Sequence, residues 1–170
     1  SDDVKDLIHD GLDVAIYTGQ LKDSHYRALE IGEIREYFYA SPEYLLQFPA
    51  PKTLSDTDLH RWVLLPWQKH YLVFENSSQP GRLIRQPFKS FAQSNNLFGA
   101  LEMLKAGMGL AFLPSITASQ SIQSGQLTHI LPEYGGPARK FYLIHRYPSG
   151  KPLHLERFYQ LIKYYFGKLS

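Results

Sequence analysis

"LEMLKAGMGLAFLP", residues 101–114, decides how the rest of the chain is read. An amphipathic run stops at Gly107, meets a second glycine at 109, becomes wholly apolar and ends on Pro114. Leu97, Ala100, Leu101 and Leu104 fall at i, i+3, i+4 and i+7, so residues 95–106 predict a helix with one apolar face turned to a sheet. Gly107 is then the left-handed residue just past the helix, with Met108 folding back on Met103 as in a Schellman cap. Gly109, lacking a side chain, suits a close approach of two backbones where the next strand enters the sheet. "LAFL" shows no polar alternation, as expected of a parallel strand covered on both faces.

Outward from this helix–turn–strand unit, the pattern alternates strands with helices. "LDVAIY" (12–17) reads as a buried strand before the turn-like "TGQLKDS". "YRALEIGEIREYFYAS" (26–41) reads as one long strand or a bent pair, and "SPEYLLQF" (41–48) as a helix with a serine cap and proline in its first turn. Residues 4–9 fit the end of a helix stopped by Gly11. "HRWVLLPW" (60–67), "YLVFE" (71–75) and "IRQPFKSFAQS" (84–94) read as strands separated by turns. "SITASQSIQSG" predicts a helix closed by Gly125, and "LTHILPEY" and "ARKFYLIHRY" (138–147) predict strands. "HLERFYQLIKYYF" (154–166) predicts a last helix with Leu155, Phe158, Ile162 and Tyr165 on one face. The alternation argues for an α/β fold with largely parallel pairing.

Composition bounds the function. The chain has 170 residues, 44% of them hydrophobic and 20% charged, with a net charge of +2. That supports a globular domain with a core and gives no basic block for nucleic acid; Arg82, Arg85 and Lys89 read as a solvated face. Without cysteine there are no disulfides and no thiolate nucleophiles or ligands. No apolar run reaches the roughly 18 residues that cross a bilayer. The acidic start is not a signal peptide, and "NSS" at 76–78 reads as a chance sequon.

Familiar chemistry is missing from the pattern. A dinucleotide fingerprint would need glycine where Phe112 stands, and a phosphate loop would need glycine where His145 stands. There is no G-x-S-x-G elbow. The seven histidines are widely spaced, with no metal-binding interval, and no carboxylate pair announces acid–base work. Neither enzyme, metal nor cofactor is expected. Aromatic residues make up 14%, and "REYFYASPEY" (35–44) fits core or cleft packing better than base stacking, since no lysines or arginines are interleaved. Ser94, Asn95 and Asn96 precede the helix at 97 and offer cap oxygens and unpaired amides. They fit either a plain cap or a seat for a carboxylate or phosphate.

Four segments in order, "DLIHDGLDVAIYTGQLKDSHYRALEIGEIREYFYASPEYL", "GALEMLKAGMGLAFLP", "SGQLTHILPEY" and "PLHLERFYQLI", resemble the effector-binding domain of LysR-type transcriptional regulators. The first carries the line G-x-D-V-A-I-x-x-G-x-L-x-D-S of one large subgroup. The resemblance implies a two-lobed α/β sensing domain of the periplasmic-binding-protein type with two crossing segments. Lobe one would comprise 1–40 and 144–170, incomplete in this chain, and lobe two 41–143. The crossings would be the long strand ending near Ser41 and the strand around Tyr142.

It further implies a small effector bound between the lobes in a cytoplasmic regulator that forms homo-oligomers. One wall would be Tyr17, Thr18 and Gly19. The other would combine Pro66, Trp67, Ser94, Asn95, Asn96, Leu113 and Pro114. Tyr17 stands where many subgroup members carry arginine, which removes a charge-assisted bond and weakens an anion site. Relative to the family the chain starts late, after the winged helix-turn-helix and the first part of lobe one. DNA would be contacted only through that absent element. The expectation is a piece of a longer protein, or else an exposed sheet edge that must be covered. A transporter's solute-binding protein shares the architecture and is the alternative.

Overall fold

The computed structural model describes residues 12–18, 27–68, 71–147 and 152–169. The expected helix end at 4–9 lies outside them. The chain divides into two compact units, Ser1–Ile34 with Ala138–Ser170, and Arg35–Pro137. It passes from one to the other at 34/35 and 137/138, several residues before the limits of 40/41 and 143/144 expected from the resemblance. The reason is pairing. Strand β3 (Glu36–Ala40) lies between β8 (Leu110–Pro114) and β9 (Thr128–Gly135) in the second unit. Strand β10 (Arg139–His145) lies between β1 (Val14–Thr18) and β2 (Arg27–Ile34) in the first.

Residues 26–41 are therefore a bent pair, β2 and β3, broken at Arg35. In the first unit the three strands run in the order β1-β10-β2, all antiparallel. Its core joins Ile31, Leu143 and the last helix, Leu153–Leu169. That helix turns Leu155, Tyr159, Ile162 and Phe166 inward. The expected face was off by one position at two places, since Phe158 is 43% and Tyr165 56% exposed. Tyr159 settles the rotation, because its hydroxyl donates to the Glu30 carbonyl (2.8 Å) while its ring lies over the sheet. Gly32 makes room below: a Cβ there would stand 2.9 Å from the Phe166 ring. Strand β1 is less buried than its apolar sequence suggests, with Ile16 58% exposed.

The second unit has seven strands in the order β6-β5-β9-β3-β8-β4-β7, adding β4 (Trp62–Leu64), β5 (Leu72–Asn76), β6 (Leu83–Gln86) and β7 (Ser90–Gln93). Among the described residues, only β4 with β7 and β4 with β8 are parallel pairs. The largely parallel sheet expected from the alternation is corrected to a mixed one, because β3 enters from the other unit and runs against both neighbours. Residues 84–94 are likewise two strands, β6 and β7, at opposite edges. Pro87, which has no N–H to donate, sits in the break. Laid flat, seven strands would put the outer two about 29 Å apart. The stretch from Gln86 to Ser90 reaches at most about 14 Å. The sheet must therefore curl strongly. A corner is visible in β9, where residues 131–134 stand out between the partners of Tyr37 and Phe38, and Leu131 takes φ +48°.

Curling separates two cores. Phe38, Trp62, Leu64, Phe74, Leu110 and Phe112 fill the inner one, with Phe38 ringed by Phe112, Phe74 and Trp62 at 4.6, 5.2 and 5.8 Å. Val63, Leu65, Ala111 and Leu113 face the other side, under two helices. One is Leu97–Lys105, which contributes Ala100 and Leu104. The other is Ser115–Gln123, which contributes Ala118. Strand β8 alternates between the two cores, so its apolar run comes from burial on both faces of a mixed sheet. Helix Pro42–Gln47 begins as its sequence signals, with Ser41 Oγ accepting from the Tyr44 amide.

The opening stretch closes as a Schellman cap. Gly107 adopts φ +73°, its amide donates to Leu104 O (2.9 Å), and the Met108 amide donates to Met103 O (3.1 Å). Gly109 then meets the backbone of Arg61: an added Cβ would lie 2.3 Å from the Arg61 carbonyl oxygen. That oxygen accepts from the Leu110 amide (2.8 Å), which fixes where β8 joins β4.

Candidate functional site

Because β4, β7 and β8 run parallel, their carboxyl ends lie at one end of the sheet. Open sheets commonly bind ligands there. Strand β4 continues through Leu65 into the 3-10 turn Pro66–Gln68, and β7 continues into Ser94, Asn95 and Asn96. A hydrogen bond from the Ser94 amide to Leu64 O (3.0 Å) holds the two exits together. The structure thus brings Pro66 and Trp67 beside Ser94, Asn95 and Asn96. Pro114 ends β8 at the same edge and is half-buried.

Local bonds shape this edge. Asn96 caps the helix Leu97–Lys105: its Oδ1 accepts from the Gly99 amide (2.8 Å), and its Nδ2 donates to Asn95 Oδ1 (2.7 Å). Ser94 is buried. Its Oγ donates to Asn96 O (2.8 Å) and accepts from the Asn96 amide (3.3 Å). Gly99 is required beneath it, since a Cβ there would stand 2.4 Å from Ser94 Oγ. Of the two uses open to residues 94–96, capping is realised. It occupies the Gly99 amide and leaves those of Leu97 and Phe98 as the first-turn donors facing outward from the helix.

Exposure sorts the expected residues. Trp67 presents 54% of its surface, and Pro66, Asn95 and Asn96 are exposed. Leu113 is fully buried, its side chain in the core under the helices. Its inward direction follows from strand alternation once the sheet is covered on both faces. Tyr17 and Thr18 close β1 in the first unit, opposite Tyr142 and Phe141. Gly19 lies outside the described residues.

Sequence reasoning missed Gln68. It is 5% exposed, accepts from the Leu65 amide (3.1 Å) through Oε1, and donates to Phe112 O (2.8 Å) through Nε2. Nothing in "PWQK" marks it, since its partner is 44 positions away. Arg35, first residue of the second unit, was also missed. Its guanidinium bonds Glu75 (2.5 Å) and the Gly136 carbonyl (3.2 Å), next to the second crossing. The Arg35 hydrogen bond, helped by the Gly81 amide, holds the Glu75 carboxyl below the usual carboxylate range. Among the described residues no group of His, Cys, Asp or Glu could hold a metal ion. No helix there is long and apolar enough to cross a membrane.

The second unit thus offers parallel strand ends that exit at one edge, with an exposed tryptophan in one exit and an asparagine-capped helix after another. The family described as "LysR substrate binding domain" matches residues 1–167, and the chain belongs to it. An uncharacterized HTH-type transcriptional regulator of Haemophilus influenzae is 31% identical over 148 residues, covering 87% of this chain and 50% of that protein. The HTH-type transcriptional activator AaeR of Escherichia coli is 29% identical over 172 residues, covering 96% and 54%. The chain spans about half the length of these relatives. In fold it is similar to the regulatory domain of AphB from Vibrio vulnificus, with TM-score 0.78, 24% identity, and coverage of 90% of this chain and 75% of that one. The CrgA regulatory domain of Neisseria meningitidis gives TM-score 0.75 at 19% identity, covering 100% and 81%. These relatives regulate transcription, which leaves the solute-binding-protein alternative without support.

Proposed function

We propose that the chain is the effector-sensing part of a LysR-type regulator. A small organic molecule binds to this domain and alters how the whole protein holds DNA. Pro66, Trp67, Ser94, Asn95, Asn96 and Pro114 are the effector-contacting residues of the second unit, and Tyr17 and Thr18 those of the first. The observation that carries this reading is the convergence of the β4 and β7 exits. It joins the strand that leads to the exposed Trp67 with the stretch that carries Asn95 and Asn96, a combination suited to one flat or apolar group and one polar group. DNA contact and homo-oligomer formation belong to the full-length regulator, acting in the cytoplasm through an N-terminal helix-turn-helix.

The test begins with a thermal-shift screen of small metabolites, since a ligand that binds only the folded state raises its apparent stability. Hits are then titrated by calorimetry into wild type, Trp67→Ala and Asn95→Ala. The expected result is affinity weakened about tenfold in each variant, the loss of one good contact, with the unfolding midpoint of the unliganded protein kept. Unchanged affinity in both variants refutes the wall assignment.

A further inference from the structure

We infer that Gln68 is a positioning residue of the candidate site: its side-chain amide staples the Pro66–Gln68 turn to strand β8 and thereby presents the Trp67 ring. The inference rests on the reading of Trp67 as part of an effector wall.

Trp67 stands half out of the surface, so packing alone does not hold it. What restrains it is its two neighbours. Pro66 fixes its own φ. Gln68 is almost wholly buried, and the amide uses both polar ends in opposite senses. Oε1 takes the Leu65 amide at the start of the turn, and Nε2 gives to the Phe112 carbonyl in β8. The Gln68 backbone amide closes the same turn onto Leu65 O (2.9 Å). Burying an amide costs free energy that a hydrophobic side chain of similar length avoids. If the position served only to fill volume, methionine or leucine would serve better. A donor and an acceptor aimed at two different backbone segments define a direction, and the residue so directed is Trp67. The Phe112 carbonyl lies two residues before Pro114, so one side chain couples two of the strand exits that form the wall.

The chain holds two tryptophans, and Trp62 is fully buried, so acrylamide quenching of the intrinsic emission reports chiefly Trp67. Gln68→Met keeps the length and removes both polar ends. Expected is a rise in the quenching constant toward a ceiling of about 1.9-fold, the change from 54% exposure to full exposure, with the circular dichroism of the folded protein retained. Leu155→Ala, which loosens the separate core of the first unit, is the control and should leave quenching unchanged. If Gln68→Met quenches like wild type, or if Leu155→Ala quenches equally more, the assignment is overturned. Should Gln68→Met not fold, amide hydrogen exchange in the wild-type protein decides. Leu65 exchanging as slowly as the ladder amide of Ser94 supports the staple, and Leu65 exchanging as fast as exposed Asn95 refutes it. No effector is used in any arm, so this inference and the proposed function fail separately.

Discussion

Gly109→Ala isolates the close approach that joins β8 to β4. Gly109, at φ +158°, has a backbone that side-chain-bearing residues rarely adopt, and space is the larger obstacle. The new methyl carbon would lie 2.3 Å from Arg61 O and 2.9 Å from Arg61 C, and both are backbone atoms that no rotamer can move. Relief requires β8 to back away by about an ångström, which breaks the 2.8 Å bond from the buried Leu110 amide to Arg61 O. Leaving a buried donor unpaired costs about 1–3 kcal/mol, and overpacking strain adds about 1–3 kcal/mol. A loss of about 2–6 kcal/mol is expected, a large share of the 5–15 kcal/mol typical of a domain. Gly125→Ala is the comparison. Gly125 adopts φ +73° with open space around the missing Cβ, so only the left-handed backbone is penalised, by about 1–2 kcal/mol. Urea melts followed by intrinsic tryptophan emission separate the two, because at a common slope of about 1–3 kcal/mol/M the first loss gives a midpoint shift about two to three times the second. If Gly109→Ala proves no more damaging than Gly125→Ala, the close approach is wrong, and with it the explanation of why the helix turns so sharply into the strand.

Further outcomes follow from the same geometry. On the helix Leu97–Lys105, Leu104→Ala should cost about 2–5 kcal/mol, while Phe98→Ala, at a position 78% exposed, should change stability by under about 0.5 kcal/mol in the same melts. On the last helix, Phe166→Ala should cost about 2–3 kcal/mol through lost packing on Phe141, and Phe158→Ala far less. Equal losses would contradict the rotation of that helix. Because Glu75 is held below the usual carboxylate range when folded, its contribution is complete above the ordinary carboxylate range and is lost as pH falls through the depressed value. The stability difference between wild type and Arg35→Met should therefore shrink on acidification, measured by urea melts at several pH values. A difference that stays constant removes the pair as a source of pH dependence.

The regulatory reading makes separate demands on the two units. In the second, Pro66, Trp67, Asn95 and Asn96 already stand exposed on one sheet end, held from behind by Ser94, Gly99 and Gln68. The supporting residues are buried and the presented ones are not, the division expected of a site built on rigid strands with its contacts on the loops. Tyr17 and Thr18 occupy the corresponding place at the end of a strand in the first unit.

What the sequence determined by itself was local. The serine cap before Pro42, the asparagine cap at Asn96, and the glycine stops at 107 and 125 could all be read, because each is a bond or a backbone angle within a few residues. The freedom of Gly109 from a side chain was legible for the same reason, as was the ordered set of motifs that places the chain in its family. Tertiary structure decided the rest. Whether β8 pairs parallel or antiparallel, and that Leu113 points into the core, depends on β3 arriving from the other unit. That β6 and β7 take opposite edges depends on the curl of a sheet seven strands wide. The inward face of the last helix was set by Tyr159 finding a carbonyl 129 positions away, and Gln68 gained its role from one 44 positions away. Side-chain periodicity records which residues avoid water. It carries no record of which distant backbone group a polar atom will meet, and those meetings shape the site.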